Sequence, residues 1–247
     1  MIILMLAAQP VKCKRLKTPY FVDLITGKKG KVIFALRSPY QLIEMILIPS
    51  TGSRRKWLRG LFLNGEVQYV EGINKENYHN AHAKILKKIP KHLIRNVVIL
   101  GGGDGVLAGK LAKLLPRATI YVLELDPCMI HVFKKYYPHD NDYAFYKRNV
   151  KVIIGDAFNT IDRFDRIDLA FVDLPDALNE ERLEALYSPE KLGKVFEKAK
   201  FISIYNGGVN PTQIEHLARG YGFKVIGRSL VHGWLGAVGF VSHLSRI

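Results

Sequence analysis

The amino-acid sequence predicts an α/β protein: a doubly wound, mostly parallel sheet preceded by a small antiparallel β domain. Three observations predict it. From about Glu76 onward, short continuous apolar runs alternate with amphipathic segments, the pattern of parallel strands covered on both faces by helices. Before that point the apolar runs are separated by turn residues alone, as in hairpins. A glycine cluster, Gly101–Gly105, stands directly between one apolar run and the next amphipathic segment. Ligands of such sheets bind at turns of this kind, beyond the carboxyl ends of the strands.

The elements follow in order. Lys31–Leu36, Leu42–Pro49 and Trp57–Leu63 read as strands, divided by Ser38-Pro39 and Ser50-Thr51-Gly52. Asn64-Gly65 then turns the chain into Glu66–Val70, a hairpin signal. These form a β domain over residues 1–72. Asn77–Lys88 is a helix that Pro90 ends, and it opens the larger domain, residues 73–247. Asn96–Leu100, Ile120–Leu125, Lys151–Ile154, Ile167–Val172 and Lys200–Tyr205 are predicted strands. Between and after them Leu107–Leu115, Pro127–Tyr136, Pro189–Lys198 and Pro211–Gly220 are predicted helices, three of them opened by proline. Lys224–Ile226 and Gly236–Ser242 close the set.

Composition limits the class. Of 247 residues, 48% are hydrophobic and 24% charged, the balance of a folded chain with a core of ordinary size. Cys13 and Cys128 show no metal-ligand spacing, so neither a disulfide framework nor a zinc site is expected, and a reducing, cytoplasmic compartment is the default. Met1–Ala8 is apolar but too short to span a bilayer, and reads as an edge strand or buried segment. The net charge of +15 is spread over scattered lysine and arginine clusters, as on lysine-rich thermophile surfaces. Without an aromatic-interleaved basic motif of RNA-binding type, nucleic acid is not expected as a partner.

Four acidic positions carry the chemistry. Glu124 ends the second parallel strand, 21 residues after Gly103, where a carboxylate accepts both ribose hydroxyls. Gly101 and Gly103 let a nucleoside approach the backbone closely. Asp156 follows the next strand, placed either to cap a helix or to accept the exocyclic amine of adenine, with the Ala157 N–H beside the ring. Asp126 opens a helix and reads as a cap. Asp173 and Asp176 lie three residues apart beyond the fourth strand, a pairing suited to holding an amine and taking its proton. An alkyl ammonium has a pKa of about 10.4, as in lysine, and attacks nothing until it is deprotonated.

Together GGGDG (Gly101–Gly105), ELD (Glu124–Asp126), GDA (Gly155–Ala157), VDLPD (Val172–Asp176) and LYSPE (Leu186–Glu190) resemble the spermidine synthase family of polyamine aminopropyltransferases. So do the Asn64-Gly65…Gln68 turn and the Tyr78-His79 pair. The resemblance implies a Rossmann-like, methyltransferase-like sheet and decarboxylated S-adenosylmethionine as co-substrate, without a metal. It implies that Asp104 binds the donor amine, Glu124 the ribose and Asp156 the adenine, with Gln68 and His79 as further donor contacts. Asp173 would orient and deprotonate the amine, with Tyr78 and Asp176 gripping the polyamine acceptor, putrescine or a relative. It further implies a homo-oligomer, dimer or tetramer, assembled through the β domain. Three positions depart from the family pattern: Asn80 stands for a glutamate, Leu174-Pro175 for small polar residues, and Val238 for a late tryptophan.

Two other readings compete. An S-adenosylmethionine-dependent methyltransferase acting on RNA would use the same sheet. Such enzymes carry an acid two residues before the first glycine, however, where Ile99 stands, and Asp104 would face the methionine carboxylate at a cost in a dry site. A non-enzymatic binding subunit is the other reading; retained Asp104, Glu124 and Asp173 weigh against it.

Overall fold

The computed structural model describes residues 13–24, 29–50, 56–71, 77–174, 180–206, 209–232 and 238–247. The apolar Met1–Ala8 segment and Asp176 therefore lie outside the described residues. By internal contacts the chain divides into two units, Met1–Ile73 with Asp126–Met129, and Asn74–Leu125 with Ile130–Ile247.

The first unit is an antiparallel sheet. Strand β1 spans Lys14–Arg15, β2 Tyr20–Asp23, β3 Lys29–Arg37, β4 Leu42–Pro49, β5 Trp57–Leu63 and β6 Glu66–Val70. They run in the order β1-β3-β4-β5-β6, with β2 also on β3. Asn64 and Gly65 both take positive φ, 52° and 85°, as a tight hairpin between β5 and β6 requires. Gln68 is exposed on β6. Asp126 caps the helix that follows it: its Oδ1 accepts from the Cys128 N–H at 2.9 Å. Its Oδ2 accepts from Ser38 Oγ at 2.6 Å and Gln41 Nε2 at 2.9 Å.

The cysteines overturn the sequence expectation. Cys13 and Cys128 form a disulfide across 115 residues of chain, their Cα atoms 6.1 Å apart. Sequence spacing carries no trace of the pairing because the fold, not proximity in the chain, brings the two thiols together. The cysteine count thus gives no support to a reducing compartment.

The second unit begins with α1, Asn77–Ala83, and then alternates: β7 Asn96–Gly101, α2 Val106–Leu114, β8 Thr119–Glu124, α3 Pro127–Tyr136, β9 Val150–Ile154, α4 Ala157–Thr160 and β10 Ile167–Asp173. It continues with α5 Glu180–Tyr187, α6 Pro189–Lys198, β11 Ala199–Tyr205, α7 Pro211–Gly220, β12 Phe223–His232 and β13 Val238–Arg246. The seven strands order as β12-β13-β11-β10-β7-β8-β9. Strands β7 to β11 are mutually parallel, and β13 pairs antiparallel with both β11 and β12.

The inner parallel strands β7, β8, β10 and β11 are mainly apolar on both sides because helices cover both, whereas the edge strand β9 is partly exposed. Along β7, Val98 and Leu100 pack with Ala170, Phe196 and Ile202, while Val97 and Ile99 pack with Leu107, Leu111 and Phe171. Successive side chains of one strand thus serve opposite layers. Ser188 and Asn210 cap α6 and α7 through Lys191 N and Thr212 N, and proline occupies the first turn of each. The chain fills one flank of β7 through β8 and β9, then crosses to the other flank with β10. That reversal falls between β7 and β10, and ligands of such sheets bind beyond the carboxyl ends of the strands at such a point.

No helix among the described residues is long and apolar enough to cross a membrane.

Candidate active site at the carboxyl edge of the parallel strands

The glycine cluster shapes this edge. Gly101 has φ +83°, and a Cβ on it would lie 2.2 Å from the Asp173 carbonyl oxygen, so the ends of β7 and β10 meet at a distance only glycine permits. A Cβ on Gly103 would lie 2.5 Å from Glu124 Oε2, so the Glu124 carboxylate rests against the Gly103 backbone.

Asp104 precedes α2, and its Oδ1 accepts from the Val106 N–H at 2.9 Å. Its Oδ2 lies 3.2 Å from His79 Nε2 on α1, with the His79 side chain 5% exposed and that of Asp104 23% exposed. Burial works against a charged imidazole at His79. The charge and hydrogen bond of Asp104, with Asp173 beyond, offset that and raise its pKa. Asp104 thus favours the charged form of the His79 imidazole, and each Asp104 oxygen keeps a lone pair for a further donor.

Asp173 ends β10, where its carboxylate accepts from the Tyr78 hydroxyl. Burial pushes the Asp173 carboxyl up to about 6; His79 and the Tyr78 hydrogen bond pull it down, and Asp104 pushes it further up. Burial, then the Asp173 charge, hold the Tyr78 phenol well above its ordinary value, so it stays a donor. The Tyr78 ring meets His79, His82 and Tyr205 edge-on, with centroids 5.1, 5.1 and 4.8 Å away. Asp104, His79, Tyr78 and Asp173 thus form one continuous cluster.

Asp156 caps α4, its Oδ1 accepting from Phe158 N at 2.8 Å and Asn159 N at 3.2 Å. Its side chain is exposed and Ala157 is buried. The Gly155 N–H bonds the Glu124 carbonyl at 2.9 Å, which sets the turn carrying Asp156 beside the end of β8. Gln68 belongs to the N-terminal unit. Asn80 Oδ1 accepts from the Lys110 ammonium, a cation on α2 where the family pattern would pair a glutamate.

Several residues of this edge were not anticipated. His82 is fully buried, with Nδ1 2.9 Å from Ser203 Oγ. Ser203 reaches His243 Nδ1 at 3.2 Å, and His243 Nε2 reaches Ser229 Oγ at 3.2 Å. Burial, with His79 and His243 nearby, holds His82 well below its usual value, and burial and Lys88 hold His243 down at about 4. The chain is a neutral polar floor beneath Tyr78. Asn206, one residue past β11, is 2% exposed, and among the described residues neither of its carboxamide atoms has a partner, nor do His82 Nε2 and His79 Nδ1. Groups so buried cost roughly 1–3 kcal/mol each until a ligand or water satisfies them. The signals were present in the sequence: His82 stands four residues after Tyr78 on one helix face, and Asn206 is the first polar residue beyond an apolar strand.

The model of the spermine/spermidine synthase domain matches residues 78–207, more than half of the chain. A polyamine aminopropyltransferase of Corynebacterium efficiens is 34% identical over 166 residues, 66% of this chain and 30% of that protein. Polyamine aminopropyltransferase 2 of Aquifex aeolicus is 32% identical over 179 residues, 70% of this chain and 33% of that protein. One from Saccharolobus islandicus is 28% identical over 183 residues, 72% of this chain and 56% of the relative. The chain thus spans from under a third to somewhat over half the length of these relatives. Two solved structures share its fold at 16% identity and TM-score 0.69, each covering 98% of this chain. One is a spermidine synthase in complex with the transition-state analogue AdoDATO, covered over 84% of its length; the other is spermidine synthase from Thermotoga maritima, covered over 83%. On the match across residues 78–207, which takes in the cluster of Tyr78, His79, Asp104 and Asp173, the chain belongs to the spermine/spermidine synthase family.

Proposed function

We propose that this protein transfers the aminopropyl group of decarboxylated S-adenosylmethionine to an aliphatic polyamine acceptor, putrescine or a related amine, and releases methylthioadenosine. One observation carries the reading: the half-buried Asp173 carboxyl, its pKa pushed up to about 6, is fixed by the Tyr78 hydroxyl beside a second acid, Asp104. A base of that strength is ionised at neutral pH and still accepts a proton from an ammonium in a closed site. The AdoDATO complex of the related spermidine synthase supports the donor, as do the polyamine aminopropyltransferase names of the curated relatives.

In this reading Glu124 accepts the ribose hydroxyls, held against Gly103 where no Cβ intervenes. Asp156 and Ala157 face the adenine, His79 adds a donor contact, and the free lone pairs of Asp104 accept from the aminopropyl ammonium. Asp176 joins Asp173 and Tyr78 in gripping the acceptor. Asp173 takes one proton from the acceptor ammonium. The freed nitrogen lone pair then forms a bond to the carbon beside the sulfonium, and the breaking C–S bond leaves its electron pair on sulfur. The products are a secondary ammonium and a neutral thioether, and the Asp173 proton passes to solvent. Catalysis consists of alignment and timed deprotonation, and the carboxylates themselves supply the base.

Incubating the protein with the decarboxylated donor and a panel of diamines and longer polyamines tests this by chromatography of methylthioadenosine. Release that depends on the amine supports the proposal. No release across the panel, together with S-adenosylhomocysteine formed from intact S-adenosylmethionine and RNA, would replace it with a methyltransferase.

A further inference from the structure

A second polar surface in the larger unit lies on α3 and the loop that follows it. His131, Lys134, Lys135, Pro138, Tyr143 and Tyr146 line an open cleft of about 700 Å3, within the roughly 300–1,000 Å3 of ligand-binding clefts. None of these six carries a carboxylate. Tyr143 and Tyr146 are 45% and 59% exposed, and their ring centroids are 6.3 Å apart. The Lys134 ammonium sits over the Tyr146 ring at 4.8 Å, and the Tyr143 hydroxyl meets His139 Nδ1 at 2.9 Å. The nearby Asp142 carboxylate is engaged by Lys113 at 2.8 Å. Lys147 and Arg148 follow directly in sequence.

The tyrosines are held, not loose. Asn141 is 1% exposed; its Nδ2 donates to the Asp104 carbonyl at 3.1 Å and its Oδ1 accepts from Ala144 N at 3.3 Å. A Cβ on Gly109 would lie 2.0 Å from the Asn141 carbonyl oxygen, so the loop is seated tightly on α2. Tyr143 itself has φ +57°, an uncommon conformation for a bulky residue, and it keeps the ring outward.

We infer that this cleft binds single-stranded nucleic acid, the lysines taking phosphates and the tyrosines stacking bases. Single strands offer both a polyanionic backbone and bare π-faces, whereas a duplex hides its bases and a lipid surface offers no planar ring. A second copy of this cationic face would repel the first. The chain's net charge of +15, which a polycation-binding active site leaves unexplained, suits such a partner. In sequence the residues are divided between a helix end and a loop beyond Pro138, and only the fold gathers them into one surface, contrary to the expectation of no nucleic-acid partner.

Fluorescence anisotropy with labelled oligouridylate and oligothymidylate of about 12 nucleotides, within the roughly 4–16 of known single-strand sites, tests the inference. The expected result is saturable binding that weakens with salt, loses roughly fivefold or more in Tyr146→Ala, and loses about tenfold or more in the Lys134→Glu/Lys135→Glu double variant. The RNA and DNA arms decide which sugar is preferred. Methylthioadenosine release by the variants should match wild type, so failure here and failure of the aminopropyl-transfer reading are separate results. Equal affinity for a duplex, unchanged affinity in both variants, or co-sedimentation with anionic phospholipid vesicles in place of oligonucleotide binding would overturn it.

Discussion

Replacing Asp173 by Asn should abolish turnover and at the same time stabilise the protein. The Asp173 carboxyl titrates at about 6 in the fold against 3.8 for an ordinary aspartate, chiefly because burial disfavours its charge. A shift of this sign means the unfolded chain ionises first, so stability is lost as pH rises from about 4 and the loss is complete above about 6. At 1.36 kcal/mol per unit it reaches about 3 kcal/mol, an upper figure. The carboxamide introduced by Asp173→Asn carries no charge and can still accept from Tyr78, so the variant escapes the loss. For a chain of this size that corresponds to a rise in Tm of roughly 5–10 °C at pH 8, shrinking toward zero below about pH 4. Removing the base should lower kcat by about 10²–10⁴, with calorimetric affinity for methylthioadenosine unchanged. Differential scanning calorimetry from pH 4 to pH 8 and single-turnover assays measure both arms. An Asp173→Asn variant no more stable than wild type at pH 8, or one with full turnover, would refute the reasoning.

Tyr78→Phe should move the acid limb of the kcat/KM profile upward from about 6 by roughly one to two units, since the carboxylate loses a charge-assisted hydrogen bond of about 1.5–3 kcal/mol; an unmoved limb would show that the bond does not tune Asp173. Asp104→Asn should weaken the decarboxylated donor far more than methylthioadenosine, which lacks the amine, and equal losses in calorimetry would contradict that role. Gly103→Ala should displace the Glu124 carboxylate, 2.5 Å from the new Cβ, and lower methylthioadenosine affinity while far-UV circular dichroism stays unchanged. Cys128→Ser should cost up to about 5 kcal/mol, the chain-entropy value for a loop of 115 residues; two free thiols titrating in unreduced, denatured wild type would contradict the bridge.

The parallel core was legible because its signal is local. Val97–Leu100 and Leu169–Val172 are continuous apolar runs bounded by turn residues, and strands buried on both faces need nothing more. The strands β1 and β2 were missed because each is short and lies on a sheet edge, with half or more of its residues exposed, so no apolar run marks them. Glu124, Asp156 and Asp173 were singled out from their positions at strand ends, and the capping alternative weighed for Asp156 is what its Oδ1 does. The direct pairing of His79 with Asp104, the floor of His82, Ser203 and His243, and the Cys13–Cys128 bridge depend on residues 25 to 121 positions apart. No sequence period encodes such distances.

The order β12-β13-β11 has a consequence for assembly. Strand β13 enters between two strands that precede it in the chain, so until it arrives β11 has an open edge and β12 has no neighbour in the sheet. The backbone of Asn206 is anchored on Phe240, and the ring of Tyr205 lies against Gly239, both on that late strand. A nascent or truncated chain lacking 238–246 would therefore expose a sticky rim and leave Tyr205, and through it the edge-on packing of Tyr78, without the strand that backs them.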